Sequence, residues 1–157
     1  MRDRASAEAL FAAGVERVVL GTAAVEQPAL VRELAATHPV AIGLDARAGQ
    51  IAVRGWTEAS GRSVSDLLVE YEDAGVAAVV VTEISRDGTL AGPDLEQFAA
   101  VRDSTTLPVV ASGGVGSLAD LEALAALGGL HGVIVGKALH DGVFTIEEAV
   151  AACARSG

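Results

Sequence analysis

Val81-Thr82-Glu83-Ile84-Ser85-Arg86-Asp87-Gly88-Thr89-Leu90-Ala91-Gly92-Pro93-Asp94 joins an apolar run to a dense polar loop, and a helical pattern opens directly behind it. A (β/α) protein presents side chains to a substrate in this way, with a buried strand, functional groups at its C-terminal end and a helix returning over the sheet. Two more stretches repeat the pattern. Gly43-Leu44-Asp45-Ala46-Arg47 ends an apolar run in a carboxylate, and Ala111-Ser112-Gly113-Gly114-Val115-Gly116-Ser117 ends one in a glycine pair.

Outward from these landmarks, short β-branched runs alternate with helical spacing. Val15 to Leu20, Val40 to Leu44, Val76 to Val81, Leu107 to Ala111 and Gly132 to Val135 read as strands apolar on both faces, as in parallel sheets covered by helices. Val64, Leu67, Leu68 and Tyr71 fall at helical intervals, as do Leu95, Phe98 and Ala99, and then Leu118, Leu121 and Leu124. Ser63 with Asp66, and Thr145 with Glu148, form capping-box patterns. Gly14, Gly75 and Gly128 fit the left-handed position after a helix. The strand ends at Gly21, Asp45, Thr82, Ser112 and Gly136 recur 24 to 37 residues apart, the size of one strand-helix unit.

The 157 residues, 51% of them hydrophobic, suffice for one domain, without a linker or low-complexity tract. A net charge of -10 argues against nucleic acid and anionic membranes, which need a basic surface to displace counterions, and favours a small-molecule partner. Cys153 is the single cysteine, so no intrachain disulfide or zinc cluster is expected. The start Met1-Arg2-Asp3-Arg4 carries no apolar signal stretch, and no apolar run reaches the ~20 residues of a membrane span. A cytoplasmic protein without membrane association is expected.

An internal repeat sharpens the organisation. Glu8-Ala9-Leu10 matches Glu122-Ala123-Leu124, Gly14 matches Gly128, and the run ending at Gly21 matches that ending at Gly136. The later copy follows a strand and the Ser112-Gly113-Gly114 loop, whereas the earlier copy has only Met1 and Arg2 in their place. The chain therefore reads as beginning in mid-repeat, with about five strands and six helices against the eight of each in a closed barrel. The expected fold is α/β, a partial (β/α)8 TIM barrel formed by about its last five strands with their helices. Residues 1–157 would be a single incomplete barrel domain lacking the first three strands, with two apolar sheet edges open to pairing.

Asp45 is either a rim acid, able in a partly dry mouth to protonate a leaving oxygen, or a loop aspartate capping a turn. Thr82 can hydrogen-bond a reacting group. Asp87 is a second acid-base candidate or one half of an Asp-Gly turn with Gly88. Ser112-Gly113-Gly114 and Gly136-Lys137 end consecutive strands, where glycines let backbone N–H groups approach a phosphate. Gly21-Thr22 is then half of a second phosphate site, and two such sites related by a repeat suggest a substrate phosphorylated at each end. Trp56, the only tryptophan, lies in Val53-Arg54-Gly55-Trp56 as a lid that stacks on a flat substrate or as an aromatic packing a surface loop. His38, His131 and His140 share no metal-ligand spacing, so no metal is expected.

Taken together, Gly-Leu-Asp-Ala-Arg, Val-Arg-Gly-Trp, Thr-Glu-Ile-Ser-Arg-Asp-Gly-Thr-Leu-Ala-Gly-Pro, Ala-Ser-Gly-Gly-Val and Val-Gly-Lys-Ala-Leu resemble the ProFAR isomerase family of histidine biosynthesis, across essentially the whole chain. The related cyclase subunit of imidazole glycerol phosphate synthase shares the Arg-Asp-Gly-Thr and Ser-Gly-Gly loops but not usually Leu-Ala-Gly-Pro or Val-Gly-Lys-Ala-Leu. The resemblance implies a (β/α)8 barrel of duplicated halves and an Amadori rearrangement of an aminoaldose to an aminoketose, without cofactor or metal. It makes Asp45 the general acid, with Thr82 assisting and Asp87 beside the reacting sugar. It gives Gly113, Gly114 and Gly136 one phosphate, and Gly21 and Thr22 part of the other. It places the general base on a first strand that this chain lacks, so unaided activity is not expected. Three other readings stand beside it. One is a bifunctional isomerase that also rearranges phosphoribosylanthranilate, with Arg54 pairing that substrate's carboxylate. The others are a non-enzymatic half-barrel needing a chain that supplies the missing strands, and a gene fragment.

Overall fold

The computed structural model describes residues 3–154. Met1 and Arg2, which stand where the repeat calls for a strand and loop, lie outside the described residues.

Five parallel strands form the frame: β1 (Val18–Leu20), β2 (Val40–Arg47), β5 (Ala78–Glu83), β6 (Val109–Ser112) and β7 (Gly132–Ile134). Each pairs with the next in the order given, so the sheet grows in one direction as the chain advances. All their C-terminal ends therefore share one rim. Two antiparallel strands, β3 (Gln50–Val53) and β4 (Glu58–Ser63), extend from the C-terminal end of β2 and complete a seven-stranded, mostly parallel sheet.

The helices between strands are α1 (Arg4–Ala12), α2 (Thr22–Glu26), α3 (Pro28–Ala35), α4 (Val64–Tyr71), α5 (Leu95–Asp103), α6 (Leu118–Ala126), α7 (Lys137–His140) and α8 (Ile146–Ala154). Their starts follow from local chemistry. Ser63 and Asp66 form a capping box on α4, and Thr145 and Glu148 exchange the same pair of bonds before α8. Ser117 with Asp120, absent from the patterns read in the sequence, caps α6 likewise. Gly14, Gly75 and Gly128 adopt φ of +91°, +74° and +64° after helices, as their positions require.

The expectation of strands apolar and covered on both faces holds only at the starts of β2 and β5, where Val40, Ala41 and Ile42, and Ala78 and Val79, are buried in succession. Val18, Leu20, Ile42, Leu44, Val79, Val81, Val109 and Ala111 are buried in one cluster with Val31, Leu34, Leu67, Tyr71, Phe98, Leu121 and Leu124 from the helices. Further along, the alternate positions are half-buried, and Val19 on β1 is 52% exposed. The helices pack against the face of the parallel strands that carries this cluster. Element counts also differ. Eight helices occur among the described residues because α2 and α7 are separate short turns directly behind β1 and β7, with too few residues to show periodicity.

The β3–β4 hairpin is the main element missed. The turn that leads into it from β2, Ala48-Gly49, has φ of +48° and +76°, the pair of left-handed residues that suits a two-residue hairpin loop. Pairing with β3 also extends β2 to Arg47, so Asp45 lies within a strand rather than just beyond one.

Candidate active site

The parallel register builds the centre of the site. Asp45 on β2 is the direct partner of Thr82 on β5, Thr82 of Ser112 on β6, and Ser112 of Ile134 on β7. Directly paired residues of parallel strands project to the same face, about 4.8 Å from strand to strand. Asp45, Thr82 and Ser112 thus stand in one polar row on the face opposite that cluster, at the C-terminal rim. No single run of sequence contains that row.

Beyond the row, two loops close on each other. Asp87 and Gly88 follow β5 in a turn where the Arg86 and Asp87 N–H groups donate to the Glu83 carbonyl oxygen, each at 3.1 Å. After β6, Gly113 takes φ +103°, and a Cβ there would stand 2.8 Å from that same carbonyl oxygen. Gly114 takes φ +89°, and its Cβ would stand 2.4 Å from the Gly92 carbonyl oxygen, while Gly92 N–H donates to Gly114 oxygen at 3.0 Å. Only glycine permits both the left-handed backbone and this approach. Asp45, Trp56, Thr82, Asp87, Gly88, Ser112, Gly113, Gly114, Gly136 and Lys137 line one cavity of about 270 Å³.

Gly21, Thr22 and Arg54 line a neighbouring cavity of about 730 Å³, and Asp45 lines this one as well. The predicted residues accordingly gather in two adjoining cavities that meet at Asp45. The internal repeat is visible in the backbone. Gly21 leads into α2 with φ −89° and ψ −99°, and Gly136 leads into α7 with φ −106° and ψ −87°. Neither helix start has a side-chain cap, so the first N–H groups of both lack an intrahelical partner.

The hairpin loop carries Arg54, Gly55 and Trp56 in three successive left-handed conformations, φ +54°, +68° and +70°. Such conformations in non-glycine residues cost energy and persist where surrounding contacts hold them. Here the Trp56 indole N–H donates to Asp45 Oδ2 at 2.9 Å. The Arg54 N–H donates to Thr22 Oγ1 at 3.3 Å. The Arg54 guanidinium meets Glu58 at 3.0 Å and Glu26 at 3.2 Å, and these carboxylates, Glu58 first, push its pKa above its already high ordinary value. Arg54 is therefore occupied by two carboxylates. Lys137 pairs with Asp141, and that hydrogen bond holds the Asp141 carboxyl below the usual range.

Sequence reasoning missed Glu26 and Glu83. Glu26 could be found only through its ion pair, which needs the hairpin in place. Glu83 stands inside the opening motif, but nothing local marks it as buried. The three histidines stay apart: His38 stacks on Phe11, His131 lies in the turn before β7, and His140 ends α7 beside Asp141. Among the described residues no helix is long and apolar enough to cross a membrane.

Fold and site define an α/β protein whose acid-bearing strand rim is flanked by two cavities with glycine-led walls. A family model described as histidine biosynthesis protein matches residues 1–145, and the chain belongs to that family, in accord with the resemblance carried by its motifs. The chain is 51% identical over 157 residues to the 1-(5-phosphoribosyl)-5-((5-phosphoribosylamino)methylideneamino) imidazole-4-carboxamide isomerase of Dinoroseobacter shibae, covering 98% of this chain and 65% of that protein. The isomerase of the same name from Rhodospirillum rubrum is 51% identical, with 98% and 66% covered. That of Synechococcus elongatus is 49% identical, with 97% and 61% covered. The chain thus spans about two thirds or less of the length of these relatives.

Proposed function

We propose that the chain forms the acid-bearing, phosphate-gripping part of a ProFAR isomerase, an aldose-ketose isomerase acting in the cytoplasm on a bis-phosphorylated small molecule in histidine biosynthesis. The observation that carries this reading is the position of Asp45, shared by both cavities and flanked on each side by a glycine-led strand end. A substrate with a phosphoribosyl group at each end would place its termini at Gly113, Gly114 and Gly136 on one side and at Gly21 and Thr22 on the other. Its reacting sugar then lies over the row of Asp45, Thr82 and Ser112. The relatives' name, with two phosphoribosyl groups, fits this span.

In the reaction, Asp45 gives its proton to the ribose ring oxygen and the ring opens to a Schiff base. A base removes the proton from the neighbouring carbon, and the enolamine formed tautomerises to the aminoketose. Thr82 hydrogen-bonds the reacting group, and Asp87 stands beside it. Because Oδ2 of Asp45 accepts from Trp56, Oδ1 is left to carry the proton to substrate. Trp56 covers the sugar and excludes water. No cofactor or metal is required.

The five parallel strands are, in this reading, five of the eight of a (β/α)8 barrel, the architecture that places active sites at the strand C-termini. The base belongs on another strand, and no residue of this chain is assigned that role. The test is isomerisation of ProFAR by the purified chain, alone and with an added polypeptide carrying the first three barrel strands of a relative. Turnover only with the addition is expected, lost on Asp45→Asn. Turnover by the chain alone would place the base within it, and full turnover by the Asn variant would remove Asp45 as the acid.

A further inference from the structure

Glu83 is the one buried charged side chain among the described residues, 2% exposed at the end of β5. It forms no ion pair among the described residues. Its Oε2 accepts from the Ala48 N–H at 3.2 Å, and its Oε1 accepts from the Ser85 N–H at 3.0 Å and the Ser85 hydroxyl at 2.6 Å. A buried carboxylate without a cation is costly unless hydrogen bonds satisfy it. These partners lie in two different loops: Ala48 turns β2 into the hairpin that carries Trp56, and Ser85 starts the loop that carries Asp87. The Glu83 main chain reaches further, since its carbonyl oxygen accepts from Asp87 N–H and Gly113 packs directly beneath it.

We propose that Glu83 is a positioning residue, an acceptor-only pin that fixes the Trp56 hairpin and the Asp87 loop relative to Asp45. The claim that this matters for turnover rests on reading the rim as an isomerase site; the pin itself does not. All three side-chain partners are donors, and two are backbone N–H groups that cannot reverse their role. A carboxylate offers acceptors on both oxygens, whereas a glutamine offers one acceptor oxygen and one donor NH₂. With its oxygen towards Ser85, glutamine keeps both bonds there and turns its NH₂ against the Ala48 N–H. With its oxygen towards Ala48, it opposes the Ser85 N–H instead, while the Ser85 hydroxyl turns to accept from the NH₂. Either orientation keeps two bonds of three and turns an NH₂ against a backbone N–H, so Glu83→Gln unpins one of the two loops, the Ala48 turn with its hairpin or the loop that Ser85 starts.

Two readouts follow Glu83→Gln in the full chain without needing activity. Amide exchange at Ala48 or at Ser85 should quicken about tenfold or more, the size of one buried hydrogen bond lost, while Val79, Val80 and Val81 stay protected. Where Ala48 is the amide released, quenching of Trp56 by acrylamide, read without ambiguity because it is the only tryptophan, should rise well below the melting temperature. In a preparation that isomerises, kcat should fall ~10- to 100-fold with KM little changed, as expected when reacting groups are misplaced rather than binding lost. Unchanged exchange at both Ala48 and Ser85 would overturn the pin, as would a uniform loss of protection throughout the sheet. If the variant does not fold, the wild-type Ala48 amide decides: protection supports the pin and free exchange overturns it. If exchange responds while wild type shows no turnover even with the added first three strands, the pin stands and the isomerase reading fails.

Discussion

Tyr71, the single tyrosine of the chain, is completely buried on α4, and its hydroxyl donates to the Ala24 carbonyl oxygen at 2.7 Å. The bond ties α4 to α2, the helix that opens at Gly21 and Thr22 and forms one wall of the larger cavity. Burial, reinforced by Glu70 and opposed by Arg32 and Arg62, pushes the phenol from an ordinary 10.0 up to about 12. A group whose folded pKa lies above its unfolded value contributes stability that is whole below the unfolded pKa and lost as pH rises through the folded one. Between pH 10 and about 12 the unfolded chain ionises at Tyr71 while the folded chain does not. Two pH units at 1.36 kcal/mol each make the loss on the order of 3 kcal/mol. Tyr71→Phe removes this dependence and also the bond to Ala24, which costs about 1–3 kcal/mol near neutrality. Urea midpoints of the variant should therefore lie below wild type at neutral pH and approach it as pH climbs towards 12. Phenolate absorbance of the folded protein titrates this one residue directly. A phenol ionising near 10 in the folded chain, or a variant that keeps the full alkaline loss, would refute the reasoning.

Gly114→Ala should cost ~2–4 kcal/mol by chemical denaturation, since its Cβ meets the Gly92 carbonyl at 2.4 Å with φ at +89°. Gly88→Ala, equally left-handed but with open space around it, should cost only about 1–2 kcal/mol, and equal losses at both would refute the steric account. Arg54→Ala should leave the denaturation midpoint nearly unchanged, because its ion pairs are exposed, yet raise acrylamide quenching of Trp56 by loosening the hairpin loop from α2. Hydrogen bonds from the Thr105 and Thr106 hydroxyls and the Thr106 N–H hold the Glu72 carboxyl below its usual range. A lowered folded pKa contributes stability above the unfolded value that is lost as pH falls. Glu72→Gln should therefore have the lower denaturation midpoint at neutral pH and lose that disadvantage in acid. A gap that persists in acid would show that packing, not ionisation, separates the two proteins.

Much of this molecule was decided within short windows of its sequence. The parallel strands announce themselves as apolar runs at unit-sized intervals, and Ser63, Thr145, Gly75 and Gly128 mark helix ends because caps and left-handed turns are chemistry between residues three or four apart. Asp45, Thr82 and the glycine loops could be nominated individually because each follows its own strand. Their assembly could not be read this way. Register alone places Asp45 beside Thr82 and Thr82 beside Ser112, and register is set by hydrogen bonds between strands more than twenty residues apart. The β3–β4 hairpin escaped notice because Glu58–Ser63 is polar and half-exposed, with no alternation strong enough to declare a strand; pairing with β2 decides it. Trp56 on Asp45, the carboxylates around Arg54 and the burial of Glu83 all depend on that hairpin and on neighbouring loops meeting in space. Local propensity therefore determined which groups this chain could bring to a site, and tertiary structure decided which of them meet, because burial and hydrogen-bond partners are properties of the packed chain rather than of any single segment.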